Sequence, residues 1–304
     1  MRCGLLCWIR ERMPELPEVE SVRRSLLPYL PGRVIQEVTV HHPKVLVFPS
    51  PLEFAESLRG VRFERLERRG KLLIFQLPPW VLLVHLGMTG QITFRDPARA
   101  DTPFERHPQT GLQRTLQHPI DQHTHVSLHF GDGCALLYRD IRKFGKWRLI
   151  HRDNPRLQSE LARVGTDPLT DDWKLEPFIQ AVTRSDRAIK AIILDQQVAA
   201  GVGNIYADEA LFVSGIRPEV RGRALSKKRL RKLFEAIPQV LEKGLQYGGT
   251  SFSDYVDADG KKGSNQERLL VYGRYGQPCY QCGQTLLRTT VAQRTSSWCK
   301  VCQK

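Results

Sequence analysis

Apolar residues fall at Val19, Val22, Leu26 and Leu30, a helical spacing that predicts a short helix after Met13, stopped by Pro31-Gly32. The period then changes. Alternating or continuous apolar runs predict strands over Val34–Val40, Val61–Leu66, Lys71–Leu77, Val81–Leu86, Gln91–Phe94, Val126–Phe130 and Ala135–Tyr138, with a turn at Gly131-Asp132-Gly133 between the last two. So many short strands in a row point to antiparallel sheets forming a sandwich or barrel. Between 96 and 122 the pattern dissolves into Pro, Gln, His and Arg, the composition of a long exposed loop, and His107 and His118 stand at no metal-binding spacing. Residues 151–165 read as a linker. Helical periods follow over Phe178–Val182, Ala188–Val198, Asn204–Val213 and Leu230–Leu245, the last with Leu230, Leu233, Phe234, Ile237, Val240 and Leu241 on one stripe. Ser226 is the expected N-cap of that helix and Gly248 its stop. Residues 252–265 are polar and glycine-punctuated, as in a mobile loop.

Charge narrows the partner. Lys and Arg number 46 against 32 Asp and Glu, a formal charge of +14. Clustered cations release counterions from phosphates, so a polyanion is the expected partner. Lys227, Lys228, Arg229, Arg231 and Lys232 load the start of a helix against its dipole, which a basic binding face or a merely solvated one explains. No apolar stretch is long enough to span a bilayer, and residues 1–12 are too short and interrupted for a secretory signal. A cytoplasmic protein with no membrane partner is expected.

Of seven cysteines, four stand as Cys279-x2-Cys282-x16-Cys299-x2-Cys302. Two such knuckles close over one tetrahedral zinc ion, and four thiolates leave no open position, so the Zn2+ is structural. Cys134 reads as a small buried hydrophobe, and Cys3 and Cys7 lie in the leader. The ribbon's hairpin contains Gln293 and Arg294. An arginine there reaches a phosphate or stays a plain surface residue. Upstream, Gly201 and Gly203 permit close backbone approach, and Asn204 is placed to cap the next helix, whose free N–H groups attract an anion.

Several separated motifs then fall in order: Pro14-Glu15-Leu16-Pro17-Glu18-Val19-Glu20, Arg69-Gly70-Lys71, His85-Leu86-Gly87-Met88-Thr89-Gly90, Arg139-Asp140-Ile141-Arg142-Lys143-Phe144-Gly145, Gly201–Ala207, and the ribbon with Ala292-Gln293-Arg294. Together they resemble the formamidopyrimidine-DNA glycosylase and endonuclease VIII superfamily from residue 13 to the end. Leu16 and Val19-Glu20 look like the formamidopyrimidine branch; the other branch usually has glycine at the position of Leu16.

The resemblance implies an α+β multidomain fold. Residues 13–150 would form an N-terminal antiparallel β-sandwich with a flanking helix. Residues 166–250 would form a helix–two-turns–helix domain, followed by the loop and C-terminal zinc ribbon over 251–304. It implies a monomeric enzyme that removes 8-oxoguanine and formamidopyrimidines from double-stranded DNA and then cuts the strand. Pro14 matches the nucleophile, Glu15 the proton donor, Lys71 a phosphate contact and proton donor in β-elimination, and Arg294 the δ-elimination arginine. Glu18 would anchor the terminus. His123, Arg142, Lys190 and Asn204 match DNA contacts, and Met88, Arg142 and Phe144 match residues that fill the gap left by a flipped base.

Residues 1–12 depart from this pattern. They leave the Pro14 nitrogen a tertiary amide with no lone pair to attack with. The leader is expected to be a start-site artefact, with Met13 removed to expose Pro14. The same fold acting on oxidised pyrimidines, or a non-catalytic damaged-DNA binder that keeps the leader, are the alternatives. A further departure is Arg184-Ser185-Asp186-Arg187, where the family often has a basic pair.

Overall fold

The computed structural model describes residues 13–99, 120–252 and 255–304. The leader with Cys3 and Cys7, most of the polar stretch with His107 and His118, and residues 253 and 254 lie outside the described residues.

Helix α1 (Leu16–Leu26) begins at a proline turn, and the Glu18 carboxylate accepts the Glu15 N–H at 2.8 Å. Nine short strands follow: β1 (Ile35–Val40), β2 (Leu46–Phe48), β3 (Arg65–Arg69), β4 (Leu72–Leu77), β5 (Trp80–His85), β6 (Gly90–Arg95), β7 (Thr124–Phe130), β8 (Ala135–Asp140) and β9 (Lys146–His151). They make two sheets, in the orders β1-β7-β8-β6 and β2-β9-β5-β4-β3. All pairings are antiparallel except β2 with β9. The two sheets share one core, in which Phe63, Phe75, Phe130, Tyr138 and Trp147 are buried.

The expected strand Val61–Leu66 is displaced to Arg65–Arg69. Register with β4 pairs Arg69 with Leu72, which puts Gly70 and Lys71 in the two-residue connection rather than in a strand. Helix α2 (Pro51–Leu58), capped by Ser50, and strands β2 and β9 escaped the sequence pattern. In β9 the outward positions are Lys146 and Arg148, so its apolar half is only Trp147, Leu149 and Ile150. The stretch read as linker holds helix α3 (Arg156–Leu161).

Beyond it come α4 (Leu175–Thr183), α5 (Ile189–Ile193), α6 (Asn204–Val213) and α7 (Lys227–Gln246), around a second core. Helix α5 ends far short of Val198. The Asp195 carboxylate accepts the Gln197 N–H, and the Gln196 amide bonds the Leu194 and Val202 carbonyls, so side chains replace the helical ladder. The Ser226 cap is observed, its hydroxyl accepting the Arg229 N–H. The described residues from 255 on are stitched down rather than loose. The Ala258 N–H donates to Ser25 Oγ at 2.9 Å, and the Tyr255 hydroxyl donates to the Glu18 carbonyl at 3.2 Å. Strands β10 (Leu287–Val291) and β11 (Arg294–Trp298) form the terminal hairpin.

Helix α1 belongs to both cores. Val19, Val22 and Leu26 pack in the sandwich, while Leu16 packs among the helices. A Cβ on Gly201 would lie 2.6 Å from that of Leu16, so the glycine makes the seat for this leucine.

Candidate active site

Helix α6 is apolar nearly all round and almost wholly buried, yet it includes Asn204, Asp208 and Glu209. A buried carboxylate is costly unless hydrogen-bonded, and each polar residue on this helix holds another part of the chain.

The helix N-terminus is occupied from within. Gly203 is its N-cap, and the Glu15 carboxylate accepts N–H bonds from Gly203 (2.8 Å), Ile205 (2.9 Å) and Tyr206 (3.4 Å). This corrects two expectations from the sequence. The anion at these donors is the protein's own Glu15, not an external phosphate, and Asn204 is not the cap. Its amide instead donates to the Thr295 carbonyl at 3.0 Å. A Cβ on Gly203 would sit 2.2 Å from the Glu15 carboxyl carbon, so the glycine clears room for the acid. Burial raises the Glu15 carboxyl to about 7, against the pull of the Lys71 charge and the helix N–H groups. Glu18 beside it, raised by burial, takes the Thr250 N–H (2.7 Å) and the Tyr206 hydroxyl (2.8 Å).

Lys71 follows Gly70, whose φ of +57° turns the chain. The Gly70 N–H donates to Asp167 (2.8 Å) and its carbonyl accepts from Arg68 (2.9 Å). Arg68 pairs with Asp167 and, at 2.9 Å, with Glu20. Burial would raise Glu20, but hydrogen bonds from Arg23, Arg24 and Arg68 outweigh it and hold the carboxyl at about 2. Sandwich, α1 and the start of the helical region are thus locked together behind Lys71. Desolvation lowers the Lys71 ammonium, partly offset by Glu15 and Glu18.

Arg294 opens β11 after a two-residue tip in which Ala292 and Gln293 both have positive φ (48° and 59°), a turn that matches hairpin twist at the expense of backbone strain. The hairpin is fastened to α6. The Lys190 ammonium, wholly buried, donates to Asp208 (2.7 Å), the Thr295 carbonyl (3.0 Å) and Ser296 Oγ (2.6 Å), and Asp208 also takes the Ser297 N–H (3.1 Å). Lys190, expected to meet a DNA phosphate, is therefore an internal strut.

A cavity of about 620 Å³ joins Glu15, Lys71, Met88, Asn204 and Arg294, with Met13 at its rim next to buried Pro14. His123, Arg142 and Phe144 are not in its walls. The last two stand on the β8–β9 turn, where the Arg142 guanidinium lies 4.7 Å from the Phe144 ring centre and Phe144 is half exposed. That turn is bolted to the Met88 turn. The Thr89 hydroxyl bonds Asp140 and accepts the Arg142 N–H, and a Cβ on Gly87 would lie 2.5 Å from the Gly145 nitrogen. His123 begins the approach to β7, its carbonyl accepting the Asp140 N–H at 2.9 Å.

The sequence reading missed Asp140, Asp167, Asp208 and Glu209 as structural hubs. Glu209 takes the N–H groups of Leu270, Val271 and Tyr272. The signal was available for two of them: adjacent acids inside an otherwise apolar helical run need internal partners.

At the ribbon, the four sulfurs of Cys279, Cys282, Cys299 and Cys302 lie within 4.8 Å of one another, with pairs at 3.5 and 3.9 Å. Tetrahedral thiolates around one ion stand roughly 3.8 Å apart, so this cluster fits a single four-coordinate, thiol-loving metal. Among the described residues, no helix is long and apolar enough to cross a membrane.

Fold and site define a two-core enzyme, with a carboxyl–lysine pair in the cavity where the cores meet. Residues 13–147 match the model for the formamidopyrimidine-DNA glycosylase N-terminal domain, and 164–256 that for its H2TH domain. A formamidopyrimidine-DNA glycosylase of Desulfitobacterium hafniense is 41% identical over 292 residues, covering 96% of this chain and 100% of the relative. Wild-type Lactococcus lactis Fpg bound to DNA containing an N7-benzyl-Fapy-dG superposes with a TM-score of 0.82 at 31% identity, covering 96% and 100% of the two chains. The same L. lactis protein bound to DNA containing an oxidised pyrimidine gives 0.82 at 32% identity, again covering 96% and 100%. The chain belongs to the formamidopyrimidine-DNA glycosylase family.

Proposed function

We propose that the protein excises oxidised purines, 8-oxoguanine and formamidopyrimidines, from duplex DNA and then cleaves the strand by β,δ-elimination. The observation behind this reading is the buried Glu15 carboxyl, directly after Pro14, sharing one cavity with half-buried Lys71. Matching relatives and DNA-bound neighbours support it.

The chemistry requires Pro14 as a free secondary amine, so the form that begins at Pro14 is the active one. Its lone pair attacks C1′ while the base departs with the electrons of the glycosidic bond and takes up the N–H proton that Pro14 loses. Protonated Glu15 delivers its proton to O4′ as the sugar ring opens, and an iminium forms between Pro14 and C1′. A carboxyl held at about 7 keeps that proton in about half of the molecules at neutral pH. A secondary amine gives an iminium that keeps its positive charge. It therefore draws electrons when a C2′ proton is lost and the 3′ phosphate leaves. Loss of a C4′ proton then expels the 5′ phosphate, and water frees Pro14. Lys71 meets the departing 3′ phosphate and supplies a proton; Arg294 serves the second elimination. Asn204 and His123 contact the backbone, while Met88, Arg142 and Phe144 fill the emptied stack, which a flipped lesion leaves at modest cost. Cys279, Cys282, Cys299 and Cys302 hold one Zn2+, which closes the ribbon and takes no part in the reaction.

Borohydride trapping on 8-oxoguanine DNA tests this reading. A covalent adduct is expected for the chain starting at Pro14, and none for one retaining residues 1–12. Trapping by the longer form would mean that another amine attacks; trapping by neither would leave a DNA-binding protein without chemistry. The L. lactis complex with an oxidised pyrimidine favours a second reading, in which pyrimidine lesions are the main substrate. Faster excision of thymine glycol than of 8-oxoguanine opposite cytosine would establish it.

A further inference from the structure

The β8–β9 turn that carries Arg142 and Phe144 is held in an unfavourable shape, for Lys143 at its tip has φ of +58°. From inside, the buried Asp140 carboxylate takes the N–H groups of Arg142 (3.2 Å) and Gly145 (2.8 Å) and the Tyr138 hydroxyl (3.1 Å). Two histidines also close on it, wholly buried His125 and partly buried His42. His125 Nε2 lies 2.6 Å from the Asp140 carbonyl, which only accepts, so that nitrogen carries a proton. The Lys143 ammonium lies 2.6 Å from His42 Nε2, and an ammonium only donates, so that nitrogen is bare. The two rings meet edge to face at 5.4 Å, and the N–H groups of His41 and His42 both reach the His125 carbonyl (2.9 and 3.3 Å).

We infer that His42 is a positioning residue for the Arg142–Phe144 turn, acting through Lys143, and that it does so only while its ring is neutral. The inference rests on the proposed role of that turn in filling the base gap. The charged and titratable groups around His42 are Lys143 from the β8–β9 turn, His125 from β7, and Lys44 from its own segment. His41 turns away to Ser127 Oγ at 2.9 Å. None of these groups is a carboxylate. Partial burial, then the neighbouring Lys143, His125 and Lys44, hold His42 below its ordinary value of 6.5. A proton on Nε2 removes the lone pair that faces Lys143 and sets two cations against each other, which releases the tip.

The sign follows. The neutral ring is favoured in the closed turn, so closure is complete above 6.5 and weakens as pH falls toward the lowered value. The opening equilibrium rises by about tenfold per pH unit across that window.

Hydrogen exchange of the Arg142 and Gly145 amides in the DNA-free full chain tests this, with rates corrected for intrinsic pH dependence. Wild-type protection is expected to fall between pH 7.5 and 5. His42→Gln, whose amide oxygen accepts from Lys143 at any pH, is expected to stay protected throughout, and His42→Phe to be unprotected throughout. Equal pH response in wild type and His42→Gln overturns the inference. A second readout is single-turnover discrimination between 8-oxoguanine opposite cytosine and opposite adenine. It is expected to weaken toward acid in wild type and to be flat in His42→Gln. If exchange behaves as expected but discrimination is flat in both, His42 positions the turn and the base-gap reading of Arg142 and Phe144 fails.

Discussion

Two elements reach the same cavity from opposite ends of the chain, and both are moored to helix α6 by different physics. Glu15 is held by backbone N–H groups at the helix terminus. The Arg294 hairpin is held one turn further on by a buried ion pair, Lys190 with Asp208. The first mooring uses donors that cannot be mutated away and leaves the carboxyl's own charge adjustable. The second uses two opposite full charges, each of which is a liability without the other. A group that exchanges protons is suited to the first arrangement. A part that only has to stay in place is suited to the second.

Breaking the pair sets the largest stability effect. Asp208→Asn leaves the Lys190 charge buried without its counter-ion, and is expected to cost about 3–5 kcal/mol of stability by denaturant melt. Lys190→Met combined with Asp208→Leu is expected to recover most of that loss. Both variants are expected to leave strand products stalled after β-elimination, because the hairpin that presents Arg294 is no longer fixed.

Removing the proton at the other mooring has the opposite profile. Glu15→Gln is expected to slow single-turnover base excision by about 10²–10⁴-fold with a folded chain, and to slow cleavage of a ready-made abasic site less. The pH profile sharpens the contrast. Glu15 is raised from 4.5 to about 7 on folding, so its stabilising contribution is full below 4.5 and is lost as pH rises through 7. The total is at most roughly 3 kcal/mol. Glu15→Gln should lose that share of the slope, whatever its absolute stability, and keep the share from Glu18, which burial also raises. Gly203→Ala places a methyl where the Glu15 carboxyl sits, so excision is expected to fall by about tenfold or more, a loss of about 1.4 kcal/mol in barrier terms. Smallest of all, Gln293→Gly relieves a left-handed residue at the hairpin tip. It is expected to raise stability by about 0.5–1 kcal/mol with cleavage unchanged.

Much of this was legible in advance. The cysteine spacing foretold the sulfur cluster, the strand periods foretold most of the sandwich, and Asn204–Val213 was read with its true limits. What failed has a common cause. Gly201 and Gly203 looked like a seat for an external phosphate, because sequence shows that a helix terminus wants an anion but not that residues 15 and 16 fold back to fill it. Lys190 was expected to meet DNA through the family resemblance, and nothing in its neighbours Ile189 and Ala191 shows that Asp208 lies against its ammonium. Such assignments depend on partners far away in sequence, which local pattern does not report.

Helix α1 has one more consequence. Its first leucine lies in one core and its next apolar residues in the other, and the same short segment bears Glu15 and Glu18. Neither core can melt while the other keeps that helix in register. A calorimeter should therefore see the sheets and helices lose heat in one transition instead of two. The reacting groups report on that bond between halves: disturbing either core displaces them.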